Sequence, residues 1–233
     1  MVKPLIAAAL MLLSSLALAE NRAPGQIEWL GSDLPPFIWK EADTPRGYGV
    51  ELISAMSARL ERPADITFLP WARAVATARD GGNHGVLPLA RTPDREAQYR
   101  WLIKLSNVRY TFFTHRSSEG AAFINDLDAL RARKVGVLRG SPIINNLQAE
   151  KFAQIVAATS YNDLLRLLDI GAIDAAYAGQ PMMAAAIRQS TFPKNTFVAG
   201  TSLGSADLYI GASLRLDPEE AERWTKAYKA LLN

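Results

Sequence analysis

The chain has 233 residues, 49% of them hydrophobic and 21% charged, with 26 lysines and arginines against 23 aspartates and glutamates and no cysteine. The formal net charge of +3 is dispersed apart from a cluster at Arg131, Arg133 and Lys134. This excludes the concentrated basic face that nucleic-acid binding needs. The missing cysteines exclude a disulfide framework and thiol chemistry, so stability must come from packing.

Lys3 stands ahead of an apolar run over 5–18 that only Ser14 and Ser15 interrupt, and Ala17-Leu18-Ala19 closes it before Glu20. A basic start, an apolar centre and a small-x-small end predict a secretory signal peptide over 1–19. The run is shorter than the roughly 20 residues of a membrane span and has no polar face. An uncleaved anchor and a buried N-terminal helix or strand are therefore the weaker readings. No cysteine follows Ala19, so lipid attachment there is excluded and a soluble exported protein is expected. The apolar patches at 182–187 and 208–212 are too short to cross a bilayer. The roughly 210 residues beyond the signal suffice for one large domain or two small lobes.

Short apolar runs alternate with helical patterns along the rest of the chain, which predicts βα units and a mostly parallel sheet. A strand is expected over 27–30, then a turn region over 31–49 holding Pro35, Pro36 and Pro45. Leu52, Ile53, Met56 and Leu60 give the apolar stripe of a helix over 50–60, with Ser57 at its edge. A strand at 66–69 precedes a helix at 72–79 that Gly81-Gly82 ends. A strand at 86–89 runs into Thr92-Pro93-Asp94-Arg95, where Thr92 suits a helix cap and Pro93 the first helical position. Strands follow at 108–114 and 134–138, and then the turn Arg139-Gly140-Ser141-Pro142, with Ser141 read as an N-cap. A helix over 143–150, a strand at 155–157, and a helix capped by Ser160 with Asp163 and faced by Leu164 and Leu168 come next. Beyond Gly171 the pattern gives a strand at 173–177, a helix at 181–188 and a strand at 206–213. Asp217-Pro218-Glu219-Glu220 then opens a last helix with Ala221, Trp224, Tyr228 and Leu231 on its apolar face. Two α/β sets, about 25–112 and about 115–200, are followed by one strand and one helix. That permits two lobes joined by crossings near 112–115 and 203–207.

Enzyme motifs are missing. The chain has no G-x-S-x-G elbow, no P-loop and no H-E-x-x-H. Gly47-x-Gly49 lacks the third glycine of a dinucleotide fingerprint. His84 and His115 fall in different lobes with no carboxylate pattern around them, so neither a metal site nor a histidine-based triad is expected. What remains suits recognition. Asp33-Leu34-Pro35-Pro36-Phe37-Ile38-Trp39 follows the first strand, at the edge where open α/β sheets bind ligands. Phe37 and Trp39 there offer flat apolar surface, or else pack onto their own lobe. Trp71 and Arg73 follow the second strand, and Arg73 offers a planar fork to a carboxylate or to a surface ion pair. Arg95 sits near a helix start, an end that favours anions over cations. An anion shared between Arg95 and free backbone N–H groups accounts for it.

Six segments, in order, resemble the type II periplasmic binding proteins, the extracellular solute-binding proteins that include the polar amino-acid binders of ABC importers. Asp33 to Phe37 resembles that family's first ligand loop, and Gly47, Gly49, Val50 and Glu51 its G-x-x-v-D-l segment, with Glu51 where an aspartate is usual. Pro70-Trp71-x-Arg73-Ala74 resembles p-W-x-R-a. Thr92-Pro93-Asp94-Arg95 resembles t-x-e-R, whose arginine clamps a substrate carboxylate. Val135-Gly136-Val137-x-x-Gly140-Ser141 resembles the opening of the second lobe. Ser160 to Leu168 with Gly171-Ala172-Ile173-Asp174-Ala175 resembles s-x-x-e-x-l-x-x-L-x-x-G-x-i-D-a.

The resemblance implies a two-lobe α/β fold, each lobe a mostly parallel sheet flanked by helices and joined by two hinge crossings. Lobe 1 is expected over 20–112 and 205–233, and lobe 2 over 113–204. It implies hinge closure over a small ligand, with Arg95, Phe37, Arg73, Trp71, Asp33, Trp39, Ser141 and Thr92 as ligand-contacting candidates and no catalytic residue, metal or cofactor. The departures bear on the ligand. The family's ammonium-binding aspartate is matched here by Gly179, and the small polar residues ahead of its arginine by Pro88-Leu89-Ala90. Gly82-Asn83-His84-Gly85 also lacks the aspartate expected after the helix-ending glycine. An arginine for an acid is kept, and the carboxylate for an amine is not. Asp33 and Glu51 remain as substitute cation partners, and Asp174 reads as structural.

The expected function is a monomeric periplasmic protein that captures a small carboxylate-bearing solute, an organic acid or an amino-acid-like ligand, and delivers it to an inner-membrane ABC permease. A sensor or accessory protein of the same fold, acting on a membrane receptor or periplasmic partner, is the alternative. An enzyme, and an interaction protein with an occluded cleft, are weaker readings.

Overall fold

The computed structural model describes residues 26–116 and 120–232, and the expected signal peptide over 1–19 lies outside them. Strand β1 (Glu28–Gly31) is followed by a hairpin of β2 (Trp39–Glu41) and β3 (Thr44–Arg46), inside the stretch over 31–49 for which the sequence predicts a turn region. Ala42 and Asp43 at its tip both have positive φ, 45° and 65°, the geometry that matches a two-residue turn to the twist of its strands. Helix α1 (Tyr48–Leu60) buries Val50, Ile53, Met56 and Ser57, with Leu52 and Leu60 half-buried beside them. Its start lies against the loop after β1, where Gly49 donates its N–H to the Phe37 carbonyl at 2.8 Å. Gly47, at φ 118°, admits this approach, since a Cβ there would stand 2.5 Å from the Phe37 oxygen.

Strand β4 (Ile66–Phe68), helix α2 (Trp71–Asp80) and strand β5 (His84–Ala90) complete the first βα set. β4 and β5 flank β1 in parallel, with Trp29 opposite Ile66 and Glu28 opposite His84. All of β5 beyond His84 is buried, as a strand covered on both faces must be. A single 3₁₀ turn (Pro93–Arg95) then leads into β6 (Tyr99–His115).

Two short helices, α3 (Gly120–Phe123) and α4 (Leu127–Arg131), lead to the second set: β7 (Lys134–Leu138), α5 (Ile143–Ala149), β8 (Gln154–Ala158), α6 (Tyr161–Asp169), β9 (Ala175–Gly179) and α7 (Gln180–Gln189). β7 pairs in parallel with both β8 and β9. The Ser160 hydroxyl accepts the Asp163 N–H at 3.0 Å and starts α6, as expected. Asp174 accepts the Lys134 N–H at 2.8 Å and ties β7 to the turn before β9. The chain returns through β10 (Phe197–Ser213) and ends in α8 (Pro218–Lys229), which Asp217 caps by accepting the Glu219 N–H at 2.8 Å. No helix among the described residues is long and apolar enough to cross a membrane.

The strand order β4-β1-β5-β10-β6-β9-β7-β8 puts two parallel sets on either side of one long antiparallel ribbon. β6 and β10 pair from Tyr99 opposite Ser213 to His115 opposite Phe197, with four register irregularities on the way. β10 joins the first lobe where Leu208 pairs with Ala90. β6 joins the second where Tyr110 pairs with Gly179, and it stays paired to β9 through Phe113. The crossing on β6 therefore lies ahead of 112–115. Both ribbon strands are longer than expected. The extra length of β10 contains Gly200, Thr201, Ser202, Gly204 and Ser205, a composition that reads as loop and is held extended only by its partner.

Candidate functional site

The C-terminal ends of β1, β4 and β5 in the first lobe face the turn after β7 and the starts of α6 and α7 in the second. Trp71 enters from the first position of α2, and Leu34 from the loop after β1. Tyr110 enters from β6 and Leu208 from β10, Tyr161 from the first turn of α6, and Met182 from α7. Together with Arg95 and Ser141 they line an inner cavity of about 30 Å³, room for about one water molecule. The lobes are closed on each other. Gly140, at φ 80°, lies so near α2 that a Cβ on it would stand 2.8 Å from the Ala72 Cα.

Arg95 is the centre of this arrangement. It is only 8% exposed and belongs to no ion pair among the described residues. One guanidinium nitrogen donates to the Gly140 carbonyl of the opposite lobe at 2.7 Å, and the other to the Ala90 carbonyl of its own lobe at 3.4 Å. That engages two of its five donors. Burial pulls its pKa down, and Tyr99, Tyr110 and Asp94 oppose the pull; an arginine still keeps its charge. A buried cation with donors to spare is a strong attractor for an anion, because charge-assisted bonds gain most where water is excluded. Burial also raises the Tyr110 hydroxyl to about 12 and pushes Tyr161 upward, the latter against a bond from the Gly179 backbone. Both phenols are therefore neutral hydrogen-bonding groups.

Two larger cavities adjoin the inner one. One of about 350 Å³ lies between α2 and the start of α5, with Arg79, Asp94, Gln98 and Asn145 on its walls and Arg95 shared with the inner cavity. The other, of about 320 Å³, lies beside the ribbon, with Arg91, Thr92, Asn146 and Ser205 on its walls and Tyr110 shared. Asn145 donates to Asp94 across the seam at 2.7 Å. Arg91 is held by Glu96 and lies over the rings of Trp101 and Tyr209, 5.4 and 5.2 Å from their centroids.

Of the residues singled out in the sequence, Arg95, Trp71 and Ser141 meet at the inner cavity. Thr92 lies at the ribbon-side cavity. It does not cap the turn after it, and its buried hydroxyl has no hydrogen-bond partner. Ser141 does not cap either, since the cap of α5 falls on Pro142. Asp33 is exposed and lines a separate pocket of about 10 Å³ that shares Tyr161 with the inner one; partial burial raises its carboxyl pKa. Phe37 is 5% exposed and belongs to the core of its own lobe, the packing alternative. Trp39 is on the hairpin opposite Arg46, and Arg73 points to solvent from α2. Neither lines a described cavity. Glu51 is exposed on α1. His84 pairs with Glu28 at 3.4 Å and His115 lies 3.8 Å from Asp169, both away from the cavities. No cluster of histidine and acidic residues among the described residues is arranged to hold a metal ion. Sequence reasoning missed Leu34, Tyr110, Leu138, Tyr161, Met182 and Leu208. Tyr110, Leu138 and Leu208 read as strand core and Tyr161 and Met182 as helix faces of their own lobe. Leu34 stands inside the loop singled out for its aromatics, and only the pairing of the lobes brings them all to a shared space.

No protein-family model matches the chain, and no curated protein matches it significantly. Solved structures do match. A histidine kinase sensor domain described as similar to periplasmic binding proteins has a TM-score of 0.79 and 21% identity, covering 91% of this chain and 92% of its own. An ancestral arginine-binding protein bound to arginine has a TM-score of 0.77 and 17% identity, covering 91% and 94%. A substrate-binding protein of an ABC uptake transporter from Streptococcus pneumoniae with bound histidine has a TM-score of 0.77 and 13% identity, covering 89% and 87%. At these identities the likeness establishes the fold alone, the two-lobe type II periplasmic binding protein architecture.

Proposed function

We propose that this protein is a periplasmic solute-binding protein that captures a small carboxylate-bearing solute, an organic acid or an amino-acid-like acid, between its lobes by hinge closure. It delivers the solute to an inner-membrane ABC importer and catalyses no reaction. The observation that carries the reading is Arg95, a buried guanidinium at the seam whose donors reach both lobes and which forms no ion pair with a side-chain carboxylate among the described residues. In this account 1–19 is removed on export, and the mature chain acts as a soluble monomer. The likeness to a histidine kinase sensor domain favours a second reading, in which the closed form is presented to a membrane receptor. Both readings share the capture step, and a permease gene or a receptor gene beside this one separates them.

The test is a thermal shift on mature protein unfolded and refolded to strip carried-over solute. A ligand at 100 times its Kd stabilises by about 2.7 kcal/mol, which for a chain of this size raises the midpoint by about 5–10 °C. At least one small carboxylate should do so. If none moves the midpoint, capture of carboxylates is wrong.

A further inference from the structure

We infer that the inner cavity is built for an amine-free monocarboxylic acid with an apolar body, and that it discriminates against the corresponding amino acid. This rests on the capture reading and specifies its ligand. The argument is one of charge balance in a confined space. Among the described residues the only formal charge on the cavity wall is that of Arg95, and the remaining lining is apolar or neutral: Leu34, Trp71, Leu138, Met182 and Leu208, with the hydroxyls of Ser141, Tyr110 and Tyr161. One carboxylate neutralises the one guanidinium. A dianion would bring a second charge with no partner.

An α-ammonium fares no better. It would add a positive charge beside Arg95 with only neutral oxygens to receive it, and an unpaired charge away from water is strongly disfavoured. The nearby carboxylates are outside. Asp33 lines the neighbouring small pocket, which shares only Tyr161 with the inner cavity. Asp94 lines the outer cavities and accepts from Asn145.

Gly179 shows that the apolar lining is filled in rather than left open. A side chain begun at that strand end would meet the Met182 methyl at 2.3 Å, its sulfur at 3.2 Å and the Tyr161 hydroxyl at 3.7 Å. The thioether and the phenol occupy the space from which a carboxylate could otherwise reach inward. Met182 also shows how room is made. With about 30 Å³ free in the closed state, a ligand must part the lobes and displace a side chain, and an unbranched methionine moves more readily than a branched residue. Trp71, Tyr110 and Tyr161 then offer flat faces to an aliphatic or aromatic body.

Matched pairs that differ only by the amine test the inference on stripped wild-type protein: butyrate with 2-aminobutyrate, 4-methylpentanoate with leucine, and 3-phenylpropionate with phenylalanine. Thermal shift at equal concentrations, followed by titration calorimetry, should give binding by the amine-free member of at least one pair, with its amino partner at least ten-fold weaker. An amino acid that binds as tightly as its amine-free partner, or tighter, overturns this inference and leaves solute capture standing. Silence from all six compounds, with another small carboxylate raising the midpoint in the wider screen, overturns this inference and leaves solute capture standing; silence across the whole screen overturns both.

Discussion

Gly140→Val should hold the lobes apart and weaken ligand binding by about five- to 150-fold. The turn after β7 touches the first turn of α2 through this residue, and the atoms that a Cβ would strike are the Ala72 Cα at 2.8 Å, its Cβ at 3.0 Å and its nitrogen at 3.3 Å. Two of these are helix backbone atoms and the third is the Cβ fixed to them, so none can rotate away. Overpacking at such a contact costs about 1–3 kcal/mol. The cost falls on the closed form alone, so it appears directly as lost affinity, in the range quoted. Small-angle scattering should report a larger radius of gyration for the variant than for the wild type. Gly140 has φ 80°, where a β-branched residue strains the turn itself, so the variant also perturbs its own lobe. Ala72→Leu approaches the same contact from a helix that tolerates the new side chain, and it should open the cleft without that strain. Wild-type affinity and dimensions in both variants would show that the contact does not govern closure.

Glu220→Ala should destabilise the first lobe by about 3 kcal/mol, the scale for breaking one side of a buried pair. Glu220 is 3% exposed and is gripped by Arg62 at 2.7 and 2.6 Å and by the Trp224 indole N–H at 2.9 Å. It joins the last helix to the chain just past α1. Trp224 in turn packs edge-on against Trp29 of β1, with ring centroids 4.8 Å apart. Truncation leaves the indole N–H unpaired in the core as well as freeing Arg62, whose side chain is partly exposed and can rehydrate. The melting midpoint should fall by about 6–12 °C. Glu220→Gln keeps an acceptor for the indole and should recover part of the loss. A fall of less than about 1 kcal/mol in denaturant unfolding would show that packing, not this pair, holds the last helix.

Why some of the site could be read in the sequence follows from what local pattern encodes. Arg95 stands out because Thr92-Pro93 reads as a helix start, an end that disfavours a cation. The chain forms only a three-residue 3₁₀ turn there before β6, so the expected helix is absent and the burial of Arg95 is what makes it a candidate. Trp71 and Arg73 show the limit of the method. Both follow β4, yet two residues on a helix differ by about 200° in direction, and Trp71 turns inward while Arg73 meets solvent. Phe37 and Trp39 alternate in the same way across one short loop and hairpin. Tyr110, Tyr161 and Met182 were illegible for a different reason. Each lies in an element whose apolar pattern is fully explained by its own lobe, and only the meeting of lobes gives it a second neighbour. The ribbon was half legible. The apolar alternation of 206–213 marks a strand, whereas 197–205 is extended because β6 supplies its hydrogen bonds.

The most direct measurement is a calorimetric titration of stripped wild-type protein and of Arg95→Ala with the tightest carboxylate found. Charge-assisted bonds of the kind Arg95 would make contribute about 1.5–3 kcal/mol each, so losing two of them should weaken binding by at least a hundred-fold. Folding of the variant should be confirmed by an unchanged far-ultraviolet spectrum. Single-site binding in the wild type that disappears in Arg95→Ala is the result this account predicts. Equal affinity in the two proteins would contradict it, because the solute would then bind without the one buried charge that the two lobes close upon.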